Sequence, residues 1–214
     1  MLFRSTDSWP DAADSALGMP YPTVWGTQPA GPGQTSLSPA YMVDQTSSIL
    51  LVAGHETTMN LISGSLLQLA RQPEMQDTLR HHPELDRSAT DEFLRLVAPV
   101  QLTGRALLDD VSVGGVVIPK GHFVFVLIGA ANRDPSVFSH PTELQLDRDP
   151  NPHLGFGFGL HHCLGAPLAR LESSIVVREL LNATTSFQLC APSVAYRPNI
   201  ILRGLESLPL RCEA

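Results

Sequence analysis

The chain has 214 residues, a formal net charge of −7 and only 16% charged residues, against about 25% in typical soluble domains. That length is enough for a buried core without disulfide staples, and 43% hydrophobic residues argue against wholesale disorder. The acidic balance excludes the basic footprint of a nucleic-acid-binding surface. Cys163, Cys190 and Cys212 are odd in number and widely spaced, which gives neither a disulfide framework nor a CxxC zinc pattern. A reducing compartment is the expectation. Residues 1–10 lack a basic stretch followed by an apolar run. The longest apolar run, residues 123–131, is far short of the ~20 residues of a membrane helix. The sequence therefore reads as a cytoplasmic protein with no membrane and no nucleic-acid partner.

Residues 1–45 carry six prolines and four glycines, and no regular apolar period survives that punctuation. They read as an irregular or disordered leader, with short helical turns around residues 9–17, and residues 46–214 as the folded region. Met59, Ile62, Leu66, Leu69 and Ala70 step by three and four, a helical stripe. Residues 49–53 just before them are apolar all round, which predicts a buried stretch of the same helix. A short helix over 74–81 stops before Pro83. Ser88 and Asp91 resemble a capping-box start for a helix through Val97. Val111 and Val113, Gly114-Gly115, then residues 116–118 read as a hairpin. Residues 123–131 fit a buried strand or a helix equally well. Four prolines from 135 to 152 mark a long loop region. Leu164, Leu168, Leu171 and Ile175 then predict an amphipathic helix to about Asn182. Residues 186–211 read as short strands and turns around Gly204.

Chemistry interrupts structure at three places. At Ala53-Gly54-His55-Glu56-Thr57-Thr58 an apolar helix acquires a glycine, an acid and two threonines. Glycine costs about 1 kcal/mol in a helix interior, and threonine bonds back to the preceding turn. Rules broken inside an element mark functional sites, although a helix that merely surfaces here explains the pattern as well. Glu92 and Arg95, three apart on one helix face, read alone as an exposed ion pair worth ~0.3 kcal/mol. Residues 155–165 hold four glycines, which let the backbone approach a ligand closely. Cys163 sits just before the last strong helix, where free N–H groups and the dipole favour a thiolate, a soft metal ligand. An inert buried cysteine, a zinc site with His161 and His162, and a nucleophile with a histidine base all remain open. The glycine density calls for something large and flat nearby, and so favours a cofactor.

In series, these segments closely resemble a bacterial-type cytochrome P-450. Phe156-Gly157-x-Gly159-x-His161-x-Cys163-x-Gly165 is similar to the family's haem-binding signature. Ala53-Gly54-x-Glu56-Thr57-Thr58 resembles its oxygen-activation motif, and Glu92-x-x-Arg95 its structural ion pair. Asn132-Arg133-Asp134-Pro135 and Asn151-Pro152-His153 are also typical of bacterial members. The resemblance runs from about Leu50 to Arg211, roughly the C-terminal half of the family's domain. It implies a mainly α fold with small β-sheets, truncated relative to the whole family fold.

The resemblance implies haem b (iron protoporphyrin IX) as cofactor, with Cys163 as proximal ligand and metal site. Phe156 would shield the sulfur, and Gly157, Gly159 and Gly165 would let the loop approach the ring. His161 and Arg105 would hold the propionates, and Arg148 would join Glu92 and Arg95 in a buried triad, although Leu144 and Gln145 depart from the residues that usually precede it. Ala53 and Gly54 would lie at the haem where the helix opens, and Glu56 and Thr57 would supply protons for oxygen activation. The implied reaction inserts one atom of dioxygen into a small organic substrate, walled by residues 100–102 and 204–207, with electrons from a ferredoxin-type donor. The alternative is a catalytically inactive or haem-binding-only remnant that needs a missing N-terminal half.

Overall fold

A computed structural model describes residues 39–214; the expected leader turns around residues 9–17 lie outside the described residues. The chain divides into two units, residues 1–52 and 53–214. Helix α1 spans Pro39–Arg71, so helix begins inside the stretch expected to be irregular, with a proline at its first position, where the missing N–H breaks no helical bond. Helix α2 (Pro73–His81) follows after Gln72, and a 3-10 turn (Pro83–Leu85) leads into α3 (Asp86–Val97). The expected capping box is not made. Helix α3 starts at Asp86 without a side-chain cap, because the Ser88 hydroxyl donates back to Leu85 O (3.1 Å). Helix α3 ends on Ala98 with φ 42°, immediately before Pro99, whose ring disfavours another right-handed helical residue there.

Three two-stranded antiparallel sheets are described. Strand β1 (Thr103–Ala106) pairs with β4 (Phe123–Val126), setting Arg105 opposite Val124. Strands β2 (Val111–Val113) and β3 (Val116–Ile118) form the expected hairpin around Gly114 and Gly115, at φ 58° and 81°. The ambiguous run 123–131 is both things in turn, strand β4 and then the single-turn helix α4 (Ile128–Ala131). Helix α5 (Ala166–Ala183) precedes β5 (Ser186–Leu189), which pairs with β6 (Leu210–Glu213).

The core of the 53–214 unit gathers Leu61, Leu69, Leu79, Phe93, Leu146, Leu181 and Phe187. Gln76, 1% exposed, ties three elements through it. Its Nε2 donates to Leu69 O (2.9 Å) and Phe187 O (2.8 Å), and its Oε1 accepts from Phe187 N (3.2 Å). Three expected burials are reversed. In the run 123–131, Phe123, Phe125, Val126 and Leu127 are exposed. Leu50, Leu51, Val52 and Ala53 are exposed. So is the stripe leading into and along α5: Leu164 just before the helix and Leu168, Leu171 and Ile175 on it are bare, and the helix buries Ala166, Ser173, Val177 and Leu181 instead. Both stripes have helical spacing. The side that packs on α2 and α3 is the one carrying small residues, which permit close approach.

Helix α1 crosses the end of α3 at Gly64, where a Cβ would lie 2.5 Å from Val97 Cγ1. Gly64→Ala would gain about 1 kcal/mol of helix propensity, but overpacking against a stiff β-branched side chain costs about 1–3 kcal/mol. A net lowering of the unfolding midpoint is expected, with recovery in the Gly64→Ala/Val97→Ala double variant.

Candidate haem-thiolate site

Cys163 lies on the loop between a 3-10 turn (Gly159–His161) and the start of α5. Its N–H donates to Phe156 O (2.9 Å) and its carbonyl accepts from Ala166 N (3.3 Å), so the loop closes tightly around an exposed thiol. Gly157 and Gly159 take φ 73° and 70°, the left-handed region that glycine occupies without a steric penalty. A Cβ on Gly159 would meet nothing within 4 Å. The same loop carries three bare apolar side chains, Phe158 (86% exposed), Leu160 (89%) and Leu164 (91%). A contiguous exposed apolar patch marks a binding surface. One soft donor set among apolar side chains on an open glycine loop fits a flat metal macrocycle. It fits a bare ion poorly: among the described residues no three His, Cys, Asp or Glu side chains gather as a metal cluster.

The loop is braced from behind. Arg170 on α5 lies over the Phe156 ring, 4.6 Å from its centroid. Its Nε donates to Asp91 Oδ1 on α3 (2.7 Å), and His153 Nε2 donates to the same oxygen (3.3 Å). Gly155 N donates to His153 Nδ1 (3.1 Å), consistent with the proton on Nε2. Sequence reading missed this brace, taking Asp91 for a cap; the contacts span 62 and 79 residues, beyond any local pattern. Burial raises the Asp91 pKa, but the hydrogen bonds from His153 and Arg170 outweigh it and hold the carboxyl below its ordinary 3.8. A depressed native pKa gives stability that is complete above the unfolded value and lost as pH falls through the native one. Asp91→Asn is therefore expected to be less stable than wild type at neutral pH. The gap in unfolding free energy should narrow once the pH falls below 3.8.

Glu92, Arg95 and Arg148 are brought together. Glu92 and Arg95 are each 0% exposed and Arg148 is 8% exposed. Arg95 Nε and Nη2 donate to the two Glu92 oxygens (2.8 Å each) and Arg148 Nε to Glu92 Oε2 (2.9 Å). Arg95 also donates to the carbonyls of Asn132 (2.9 Å), Pro141 (2.7 Å) and Glu143 (3.0 Å). Asn132, buried beside the pair, accepts from Leu154 N (2.7 Å) at the entry to the cysteine loop. The pair is thus not the exposed contact its spacing alone suggests.

The remaining residues are spread along α1, β1 and the 3-10 turn. Helix α1 runs unbroken through the half-exposed Glu56 and Thr57 and the exposed Ala53 and Gly54, so the expected opening is not formed. The Thr57 hydroxyl donates to Ala53 O (2.8 Å), and Glu56 Oε1 lies 3.7 Å from Arg197 Nη1. Arg105 Nη1 donates to Thr103 Oγ1 (2.8 Å) and Gly104 O (2.7 Å) on its own strand. His161 is exposed at the end of the 3-10 turn. Segment 100–102 meets the C-terminal turn: Gln101 N donates to Ile201 O (2.7 Å), and Arg203 N to Pro99 O (2.8 Å).

The family model for Cytochrome P450 matches residues 33–193. The chain is 46% identical over 168 residues to the biotin biosynthesis cytochrome P450 of Bacillus subtilis (strain 168), covering 78% of this chain and 42% of that protein. It is 43% identical over 166 residues to the cytochrome P450 monooxygenase PikC of Streptomyces venezuelae, covering 76% of this chain and 40% of that one. Among solved structures, P450BioI in complex with an acyl carrier protein ligated to hexadec-9Z-enoic acid superposes with a TM-score of 0.80 at 44% identity, over 84% of this chain and 47% of that chain. The chain belongs to the cytochrome P450 family. It spans 40–42% of the length of these two curated relatives. No helix among the described residues is long and apolar enough to cross a membrane.

Proposed function

We propose that this chain carries the haem-thiolate centre of a monooxygenase, with Cys163 as the ligand of haem b. The observation that supports this most directly is the exposed Cys163 thiol on its glycine loop, among the bare side chains of Phe158, Leu160 and Leu164. Bound haem would supply dioxygen binding and reduction, and a thiolate ligand favours O–O cleavage. The net reaction takes dioxygen, two electrons from a ferredoxin-type donor and two protons, inserts one oxygen atom into a C–H bond and releases the other as water.

The chain's own residues have distinct tasks. Phe156, held by Arg170, shields the sulfur side of the loop. Arg105 and His161 are assigned to the haem propionates, contacts strengthened by full charge. Thr57 and Glu56 are assigned to proton delivery. For that, the Thr57 hydroxyl must release Ala53 O and Glu56 must swing from Arg197. The triad of Glu92, Arg95 and Arg148 keeps the cysteine loop in place through Asn132. Substrate meets residues 100–102 and 204–207. Hexadec-9Z-enoic acid, the acyl group in the P450BioI complex, is the first substrate to try.

A second reading, haem binding without turnover, is favoured by the bare α5 stripe, since an open site loses the electrostatic control that exclusion of water provides. The test is reconstitution with haem, reduction and carbon monoxide. A red-shifted thiolate Soret band supports the haem-thiolate centre, and its absence sinks it. Hydroxylation by the same preparation then separates turnover from binding alone.

A further inference from the structure

A cavity of about 50 Å³ lies inside the 53–214 unit, between α1, the end of α3 and the C-terminal turn. One water needs only about 10–15 Å³. Its polar lining consists of the Asn60 and Gln68 amides, the Tyr196 hydroxyl and two cations, Arg133 and Arg203. Asn60 on α1 is 3% exposed, and its Nδ2 has no hydrogen-bond partner. A buried donor without an acceptor keeps its full desolvation cost, so this amide asks for an acceptor. Arg133 lines the same space, with Nη1 donating to Gly129 O (3.1 Å) and Nη2 to Leu96 O. Both acceptors are neutral carbonyls. The Arg203 guanidinium lies 4.1 Å from the Tyr196 ring centroid. Neither arginine has an ion-pair partner among the described residues. No Asp or Glu lines the cavity.

Two arginines and the unpaired Asn60 Nδ2 therefore line one small space that no Asp or Glu lines. Burial first, and then the charges of Arg95 and Arg203, push the Arg133 pKa below its ordinary value, with Tyr196 acting the other way. Glycine at 204 lets the C-terminal turn approach Asn60 closely: a Cβ there would sit 2.4 Å from Asn60 Oδ1. Arg203 and Tyr196 are exposed, so the cavity has a way in from solvent.

We propose that this cavity binds a small monovalent anion of the chloride class, held by Asn60 Nδ2 and the guanidinium groups of Arg133 and Arg203. The donors would compensate one negative charge, and the volume suits a small ion with a water better than a bulky polyanion. The site lies among groups assigned no part in oxygen chemistry, and its test does not depend on turnover.

The experiment is thermal unfolding of the full chain in sodium chloride against sodium gluconate at one ionic strength. A ligand that binds only the folded state raises the midpoint as it saturates its site. A saturable rise in chloride is expected. Arg203→Gln, an exposed position that the fold tolerates, should abolish the rise while its midpoint in gluconate stays close to that of wild type. Bromide soaked into crystals of the chain should give an anomalous peak between Asn60 and the two arginines. Coincident chloride and gluconate curves, an equal rise in Arg203→Gln, or ordered water in the cavity without a bromide peak would each overturn the proposal.

Discussion

Cys163→Ser is expected to abolish the red-shifted Soret band of the reduced, carbon monoxide-treated chain while leaving the fold intact. The two effects separate because of where the residue sits. Its side chain is exposed, and its structural work is done by the backbone, through the bonds to Phe156 O and from Ala166 N. Serine preserves both. A surface change away from such features shifts stability by no more than about 0.5 kcal/mol, so the unfolding midpoint should barely move. The spectral effect should be complete, since a hydroxyl is a hard, weakly acidic group and the thiolate a soft one. A band that survives the substitution would remove Cys163 as the ligand. His161 and His162 are the neighbours to test next, by His161→Ala and His162→Ala. A histidine ligand would give haem binding without the thiolate red shift.

The sequence motifs and the local turns were legible for the same reason: each depends on residues close in the chain. Gly114-Gly115 forces the hairpin because both need positive φ, and Pro83 and Pro99 stop helices by their own covalent geometry. What could not be read was which face of a helix finds a partner. On α5 the leucine stripe and the side bearing Ala166, Ser173 and Val177 both keep helical spacing, and hydrophobicity favours the leucines. The described residues pack on the other side. Periodicity identifies an amphipathic helix but carries no information about the neighbour. The same limit hid the brace of Asp91, His153 and Arg170 behind Phe156, whose members come from α3, the long loop and α5.

Leu164, on the cysteine loop, and Leu168, Leu171 and Ile175, on the helix that follows it, are 51–91% exposed. Apolar surface left in water forgoes roughly 25 cal/mol per Å², and a row of such side chains invites association. The same residues therefore bear on both readings of function. The leucines nearest Cys163 suit a flat apolar cofactor, whereas those a turn or more along α5 lie beyond its loop.

Glu92→Gln is expected to cost about 3–5 kcal/mol, the range for removing one partner of a buried charge network. That would be a large part of the 5–15 kcal/mol by which a domain is ordinarily stable. The carboxylate accepts from Arg95 Nε and Nη2, Arg148 Nε, Gln145 N (3.0 Å) and Asn151 Nδ2 (3.2 Å). Every approaching group is a donor. Glutamine keeps the shape but turns one oxygen into an NH2, which must point at donors whichever way the amide is placed. It also leaves two buried guanidinium groups with no counter-charge, packed on the Phe138 ring at 5.1 and 6.0 Å. The urea midpoint should fall sharply with an unchanged slope, whereas the exposed Glu74→Gln should stay within about 0.5 kcal/mol of wild type. Haem retention provides the second readout. Asn151 and Asn132 connect the triad to the segment entering the cysteine loop, so at a temperature where the variant is still folded its haem should dissociate faster. A variant that loses stability but holds haem as tightly as wild type would show that the triad supports the fold without positioning the loop.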